Sequence, residues 1–289
     1  MMNQIKLFIE LTRLRKPIGY MLLFWPCAWG LTLAYDFSSS WNNYFAYLIL
    51  FFLGAVLMRS AGCIVNDILD RNFDSKVFRT KNRPIASGKV SVTLALIYSI
   101  SLCFLALLVL LNFNIFTIML AMGSMPLAFS YPLMKRFTYW PQLFLGITFN
   151  YGLILGWTSV NNELNLVPII FYLGAIFWTL GYDTIYGYQD IKDDEIIGLK
   201  STSIKFKGKA KQFLFICYSI VISFFLLGGI KMNLDKSYYF LLSLPLLHLF
   251  IYQIRIFKLN DPSTCLRAFK SNNAFGLIIF VIFLIVKNL

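Results

Sequence analysis

Long apolar stretches recur along the chain and are separated by short polar segments. A helix needs about 20 mostly apolar residues to cross a hydrocarbon core of about 30 Å. Stretches near that length occur nine times, which predicts an all-α, polytopic membrane protein whose single domain covers residues 1–289. The predicted spans are Ile18 to Ala34, Trp41 to Val65, Val90 to Leu111, Ile115 to Leu133, Trp140 to Val160, Leu166 to Tyr188, Phe213 to Ile230, Tyr238 to Ile254 and Ser271 to Val286.

Composition supports a bilayer as the solvent of this chain. Hydrophobic residues make up 58% of the sequence and charged residues 13%. One soluble core of this size would not bury that much apolar surface. We therefore expect most of the apolar side chains to face lipid or neighbouring membrane helices.

The charge distribution predicts an orientation. With the N-terminus in the cytoplasm, only Lys231, Lys236 and Lys287 of the 26 Lys and Arg residues lie on the outer side. This asymmetry follows the positive-inside rule. The net charge of +13 lies beside the spans, which favours attraction to anionic lipid and predicts no nucleic-acid partner.

The cysteine and histidine residues do not form a recognisable catalytic or metal-binding pattern. The five cysteines are scattered without a CxxC pair, and the single histidine, His248, lies in an apolar run. A histidine-based metal site or a Ser-His-Asp triad is therefore not predicted. The first apolar segment lacks a convincing cleavage site, so it should remain as a span. Together with the unpaired cysteines and the absence of a targeting peptide, this predicts a bacterial inner membrane.

Acidic residues are concentrated in two short segments, each at the cytoplasmic end of a predicted span. We call residues 67–74 the first acid row and residues 183–195 the second acid row, and together they hold eight of the 13 acidic residues. Carboxylates near membrane depth are costly unless they meet a cation. Helical spacing places the main acids of each row on one face. These acids are Asp67, Asp70 and Asp74 in the first row, and Asp183, Asp190 and Asp194 in the second.

The residue types around the rows indicate a site for Mg²⁺ and a polyphosphate. Oxygen ligands without nearby histidine or cysteine suit Mg²⁺, which binds a few carboxylates together with phosphate oxygens. Basic side chains that follow each row are suited to binding phosphate. No Gly-rich GxxxxGK[ST] loop is present, so a nucleotide site of that kind is not indicated.

Several segments resemble the UbiA family of intramembrane prenyltransferases. The segment from Arg59 to Asp74 resembles its first signature, NDxxDxxxD, and the segment from Tyr182 to Asp194 resembles its second, whose core is DxxxD. Residues 79–84, 131–136 and 16–19 resemble further family segments, and they favour the branch that acts on 4-hydroxybenzoate. The matches reach to about Thr202, and the last three spans match only as apolar helices.

The resemblance implies a fold and a reaction. It implies nine helices around a central cavity that opens sideways to lipid, with both Asp motifs at its cytoplasmic mouth. The implied reaction moves a polyprenyl group from polyprenyl diphosphate to the ring carbon ortho to the hydroxyl of 4-hydroxybenzoate, in ubiquinone synthesis. About two Mg²⁺ ions would bind the donor diphosphate.

The resemblance also implies a role for each candidate side chain. The predicted catalytic and metal-binding carboxylates are Asp67, Asp70, Asp74, Asp190 and Asp194, with Asn66 as a further metal ligand. Asp183 and Asp193 are supporting residues. Arg71, Arg79, Arg83 and Lys192 are candidates for binding diphosphate oxygens. Lys135 and Arg136 are candidates for the carboxylate of the acceptor, with a role as loop anchors as the alternative.

Other functions stay open at this point. The acceptor could instead be haem, a naphthoate, homogentisate or a lipid phosphate, because the donor site would look the same for each of these acceptors. A cation transporter also places acids in a membrane, but it is expected to carry them across the midplane. A non-catalytic assembly factor would leave two spaced rows of aspartate without a purpose.

Overall fold

The computed structural model describes residues 2–289, and all the regular structure in that range is helical. This confirms the predicted all-α class. Eight helices of the described chain are long and apolar enough to cross a membrane, while Ile18–Ala34 is a shorter apolar helix of 17 residues. The count of nine spans and the cytoplasmic N-terminus stay predictions. The eight helices are Trp41–Leu69, Val92–Leu110, Ile115–Phe137, Pro141–Asn161, Leu166–Gly187, Lys207–Lys231, Lys236–Ile256 and Pro262–Lys287.

Shorter helices and local irregularities complete the chain. The helix Lys236–Ile256 contains a π-helical stretch at His248–Gln253. The last membrane helix divides at Ser271 into Pro262–Lys270 and Asn272–Lys287. The remaining short helices are Met2–Thr12 at the N-terminal end, and Arg71–Asp74, Met134–Phe137, Ile191–Ile197 and Thr202–Lys205 in segments that join the membrane helices.

Close backbone contact fixes the helix Ile18–Ala34 against Pro141–Asn161. A Cβ atom on Gly30 would lie 2.0 Å from the carbonyl oxygen of Leu153, and one on Gly156 would lie 2.3 Å from that of Cys27. Small residues permit such approach between membrane helices. Helix Ile18–Ala34 therefore packs directly against Pro141–Asn161, and its residues from Trp25 to Leu33 are buried.

Paired indole groups attach the last membrane helix to two other helices of the bundle. The indole N–H of Trp178 donates to the Asn272 side-chain oxygen at 2.8 Å, and that of Trp29 donates to the Gly276 carbonyl at 2.9 Å. The rings of Trp29 and Trp178 are 5.1 Å apart. Buried N–H groups need such partners because lipid offers none. The motif-poor C-terminal region thus completes the core.

Three connecting segments meet at one end of the bundle. They follow the helices that end at Leu69, Ser130 and Gly187. Arg136 of the second segment donates to the carbonyl oxygen of Leu69 at 2.6 Å. The backbone N–H of Lys200 in the third donates to the Lys135 carbonyl at 2.9 Å. These contacts hold together the segments that carry the two acid rows and the basic residues.

Candidate active site

The first acid row lies where the long helix Trp41–Leu69 ends. Asp70 leaves helical geometry at φ −95° and ψ 4°, and the short helix Arg71–Asp74 follows. The turn nevertheless continues, because the N–H of Asp74 donates to the carbonyl of Asp70 at 2.8 Å. Asp67, Asp70 and Asp74 are 2%, 1% and 7% exposed, so the predicted common face is buried.

Cations compensate every carboxylate of this row. Burial of an unpaired carboxylate would be strongly unfavourable. Arg83 bridges the row, because its Nη1 lies 3.0 Å from Asp67 and 2.7 Å from Asp74. The remaining pairs are Arg13 with Asp67 at 2.6 Å, Lys135 with Asp70 at 2.5 Å and Arg136 with Asp70 at 3.8 Å. Four basic side chains therefore serve three acids. Burial raises the pKa of Asp74, and Arg83 opposes that shift.

The second acid row is more open. Asp190 forms an ion pair with Arg79, whose Nε lies 2.7 and 2.8 Å from the two carboxylate oxygens. Asp193 accepts a hydrogen bond of 3.3 Å from the backbone N–H of Phe78. Within residues 2–289, Asp183 and Asp194 have no ion-pair partner. Burial, with the nearby charge of Asp190, raises the pKa of Asp194 to about 6.

The fold brings the segment after the first row against the second row. Phe78 and Arg79 follow the first row by a few residues, and both contact acids of the second. Arg79 also donates to the hydroxyl of Tyr186 at 3.4 Å. The two rows, more than 100 residues apart in sequence, therefore lie at the same end of the helical bundle.

A ready-made metal site is not present in the described chain. Among residues 2–289, no three Asp, Glu, His or Cys side chains are grouped closely enough to hold a metal ion. The basic side chains separate the carboxylates. The chemistry still fits Mg²⁺, since the acids offer oxygen ligands. The Oδ1 atom of Asp70 is buried without a hydrogen-bond partner and its cation, Arg136, is 3.8 Å away, so this oxygen is available to a metal.

Some predicted residues are less involved than the signature implies. Arg71 and Lys192 are exposed, and neither forms an ion pair within the described residues. The side chain of Asn66 is partly buried. Lys135 and Arg136, predicted for the acceptor carboxylate, instead lie at Asp70 of the first row.

Two arginines enter the site without having been predicted for it. Arg59 lies on the same helix face as Asp67, eight residues earlier, and its guanidinium is 5.2 Å from the ring centre of Phe149. The spacing of Arg59 from Asp67 was a usable signal. Arg13 offered none, because it lies 54 residues from Asp67 in sequence.

The helical membrane fold and the two acid rows at one end of it are consistent with the result of a comparison with known protein families. The model of the UbiA prenyltransferase family matches residues 23–281. The chain therefore belongs to the UbiA prenyltransferase family, as the sequence resemblance predicted.

Curated relatives match almost the whole chain. A Bos taurus protein named "4-hydroxybenzoate polyprenyltransferase, mitochondrial" is 44% identical over 95% of this chain and 73% of its own length. A protein of the same name from Dictyostelium discoideum is 40% identical over 99% of this chain, which spans only 62% of that relative. A Lithospermum erythrorhizon protein named "4-hydroxybenzoate geranyltransferase 2" is 43% identical over 96% of this chain and 90% of its own length.

Solved structures share the fold. An apo UbiA homologue from Aeropyrum pernix K1 superposes with a TM-score of 0.77 at 24% identity, over 94% of this chain and 99% of that one. An Archaeoglobus fulgidus homologue bound to GPP and Mg²⁺ superposes with a TM-score of 0.70 at 18% identity, over 98% of this chain and 100% of that one.

The predicted bacterial inner membrane is contradicted by these comparisons. The bovine, Dictyostelium and Arabidopsis thaliana relatives are all named mitochondrial. The signals used for the prediction do not separate the two membranes. Free cysteines and basic loops are expected on the reducing side of either one.

Proposed function

We propose that this chain transfers a polyprenyl group from polyprenyl diphosphate to the ring carbon ortho to the hydroxyl of 4-hydroxybenzoate, in ubiquinone biosynthesis. The observation that carries the proposal is the meeting of the two acid rows through Arg79 and Asp190. The names of relatives at 40% to 44% identity support the choice of donor and acceptor. Because several of those relatives are named mitochondrial, we propose a mitochondrial membrane as the setting.

Mg²⁺ fits the acid rows as the cofactor of this reaction. When bound, it would neutralise charge that develops on the leaving diphosphate. The Archaeoglobus homologue, which was solved with GPP and Mg²⁺ bound, supports this role. The residues that would hold the metal are Asn66, Asp67, Asp70, Asp74, Asp190 and Asp194, with Asp183 and Asp193 as supporting residues.

The basic residues of the site would bind the diphosphate of the donor. Arg79, Arg83 and Lys135 each contact an aspartate in the structure. When the donor enters with its metal, these cations can exchange a carboxylate oxygen for a phosphate oxygen, and arginine can do so in a two-pronged geometry. Arg136 lies beside them. Arg71 and Lys192, which are exposed, would add longer-range attraction.

The acceptor carboxylate is best matched by Arg59. Lys135 and Arg136 are engaged by Asp70, whereas Arg59 has no carboxylate within ion-pair distance in the described chain. Arg59 lies on the bundle side of the first row and contacts Phe149. An acceptor whose carboxylate binds Arg59 would place its ring between the acid rows and the apolar interior.

The chemical step follows from this placement. The bond between the allylic carbon and the diphosphate oxygen breaks, and its electron pair leaves with the diphosphate. The ortho carbon of the acceptor then bonds to the allylic cation, and the ring proton passes to a base. Water would trap the cation, and the apolar helix bundle excludes it.

A panel of acceptors tests this function directly. Purified protein would receive one polyprenyl diphosphate, Mg²⁺ and, in turn, 4-hydroxybenzoate, a naphthoate, homogentisate and haem, with products identified by mass spectrometry. We expect a prenylated product from 4-hydroxybenzoate alone. Product from another acceptor would replace the proposed substrate, and metal flux into liposomes without any transfer would overturn the enzymatic function.

Arg59 can be tested in the same assay. We expect Arg59→Ala to raise KM for 4-hydroxybenzoate about 10- to 100-fold, as for loss of a charge-assisted hydrogen bond, with KM for the donor unchanged. Arg15→Ala, which removes an exposed arginine, is the matched control. An unchanged KM for the acceptor in Arg59→Ala would contradict this assignment. Lys135 and Arg136 would then again be the candidates for binding the acceptor carboxylate.

A further inference from the structure

The N-terminal helix delivers a basic residue to the first acid row. Helix Met2–Thr12 ends immediately before Arg13. The guanidinium of Arg13 donates to Oδ1 of Asp67 at 2.6 Å, and its side chain is only 20% exposed. Arg13 therefore reaches the buried acids from a segment that belongs to neither signature.

Apolar packing fixes the position of this helix. Leu11 is fully buried in a cluster with Ala61 and Ile64 of the helix that carries the first row. Phe8 makes an edge contact with Tyr98, with ring centres 5.1 Å apart. The helix is thus anchored on the protein, and it holds the adjacent residue Arg13 in a defined position.

The backbone at Arg13 adopts a conformation that side-chain-bearing residues rarely use. Its φ is +56°, in the left-handed region. The carbonyl of Arg13 accepts from the N–H of Lys16 at 2.8 Å, so the residue forms a tight turn before the first apolar helix. This turn directs the Arg13 side chain back toward Asp67.

The charge of Arg13 is surplus at Asp67. Arg83 contacts the same Oδ1 atom at 3.0 Å and also contacts Asp74 at 2.7 Å. If the guanidinium of Arg13 turned away while Arg83 kept its contact with Asp67, that carboxylate would still have a cation beside it. Arg13 can therefore bind an added anion without leaving a buried carboxylate uncompensated.

We propose that Arg13 is a further residue that binds the diphosphate of the donor, so that the N-terminal helix is part of the active site. The inference rests on the proposed function, because that function supplies the diphosphate. The guanidinium of Arg13 donates to an oxygen of the diphosphate, either instead of donating to Asp67 or in addition to it. Its role is binding, and the chemical step remains with the acid rows.

Diphosphate binding separates this role from a structural one. Wild type, Arg13→Ala, Arg13→Lys and the control Arg15→Ala would be titrated with inorganic diphosphate in the presence of Mg²⁺, and unfolding temperatures measured alongside. We expect Arg13→Ala to weaken binding about 10- to 100-fold and Arg13→Lys to restore part of it, because the charge remains but the fork is lost. Arg15→Ala should bind like wild type.

Steady-state kinetics supplies the second readout. Arg13→Ala should raise KM for the polyprenyl donor and leave KM for the acceptor unchanged. Equal diphosphate affinity in wild type and Arg13→Ala would overturn the inference, as would a lowered unfolding temperature with unchanged affinity. A different result would contradict only the proposed function: the wild type prenylates no acceptor, but diphosphate binding still depends on Arg13. In that case the role of Arg13 in binding diphosphate would stand.

Discussion

The two acid rows are built from the same residue type but are stabilised differently. The first row is buried, and each of its three main acids contacts at least one cation. In the second row Asp190 pairs with Arg79, whose side chain is 39% exposed, while Asp183 and Asp194 have no ion-pair partner in the described chain. The protein pairs every main acid of one row with a cation, whereas the other row retains two carboxyl groups that have no ion-pair partner in the described chain.

This difference indicates how metal and donor would bind. A cation that enters alone would find its easiest ligands in the second row. The first row becomes available only when its basic partners move to another anion, and the diphosphate is such an anion. We therefore expect metal and diphosphate to bind with mutual dependence.

The largest effect is expected when one acid is neutralised in either row. Asp70→Asn and Asp190→Asn should each lower kcat about 10²- to 10³-fold, as for loss of a group that stabilises developing charge. The rows should differ in stability, since Asp70→Asn leaves Lys135 without its carboxylate and should cost about 1–3 kcal/mol of unfolding free energy. Transfer assays and thermal unfolding measure the two effects. Undiminished turnover in both variants would defeat the site assignment.

Removal of an arginine that pairs with each row gives the next effect. Arg83→Ala takes a partner from both Asp67 and Asp74, and we expect a loss of about 1–3 kcal/mol in unfolding free energy. Arg79→Ala removes a more exposed partner and should cost less than about 1 kcal/mol. Both should raise KM for the donor. Equal loss of stability in the two variants would remove the distinction between a compensated row and an open one.

Alanine substitutions at one glycine near each acid row test how tightly the surroundings of the two rows are packed. A Cβ atom on Gly187, at the end of the helix before Asp190, would lie 2.4 Å from the hydroxyl oxygen of Ser203. Because that hydroxyl donates to the Thr184 carbonyl at 2.7 Å, Gly187→Ala should cost about 1–3 kcal/mol. A Cβ on Gly62 would meet no atom within 4 Å, so Gly62→Ala should gain up to about 1 kcal/mol. Thermal unfolding of both variants in the same detergent measures these effects. If Gly187→Ala is as stable as wild type, the segment that carries Ser203 can shift at little cost to make room for the added methyl group.

The smallest effect is expected at the exposed end of the second row. Glu195 pairs with Lys207 at 2.7 Å, and the two side chains are 35% and 53% exposed. Such surface pairs contribute about 0–1 kcal/mol. Glu195→Gln should leave turnover and unfolding temperature near those of wild type. A clear loss of activity would extend the functional part of the second row to Glu195.

Much of the site could be predicted because acids are rare in an apolar chain. Asp67, Asp70 and Asp74 stand out against their surroundings, and their helical spacing placed them on one buried face, as the structure has them. Lys135 and Arg136 show the limit. Their position in a basic loop did not reveal that they contact Asp70, because that contact depends on how two connecting segments fold over each other.

By itself, the sequence determined the membrane class, the helical fold, the two acid rows and the resemblance to a family. These properties are encoded locally, because hydropathy and residue spacing act within one helix. Only the tertiary structure decided which cation meets which carboxylate. Arg13 and Asp67 are brought together by the packing of separate helices, and such contacts between distant residues leave no periodic trace in the chain.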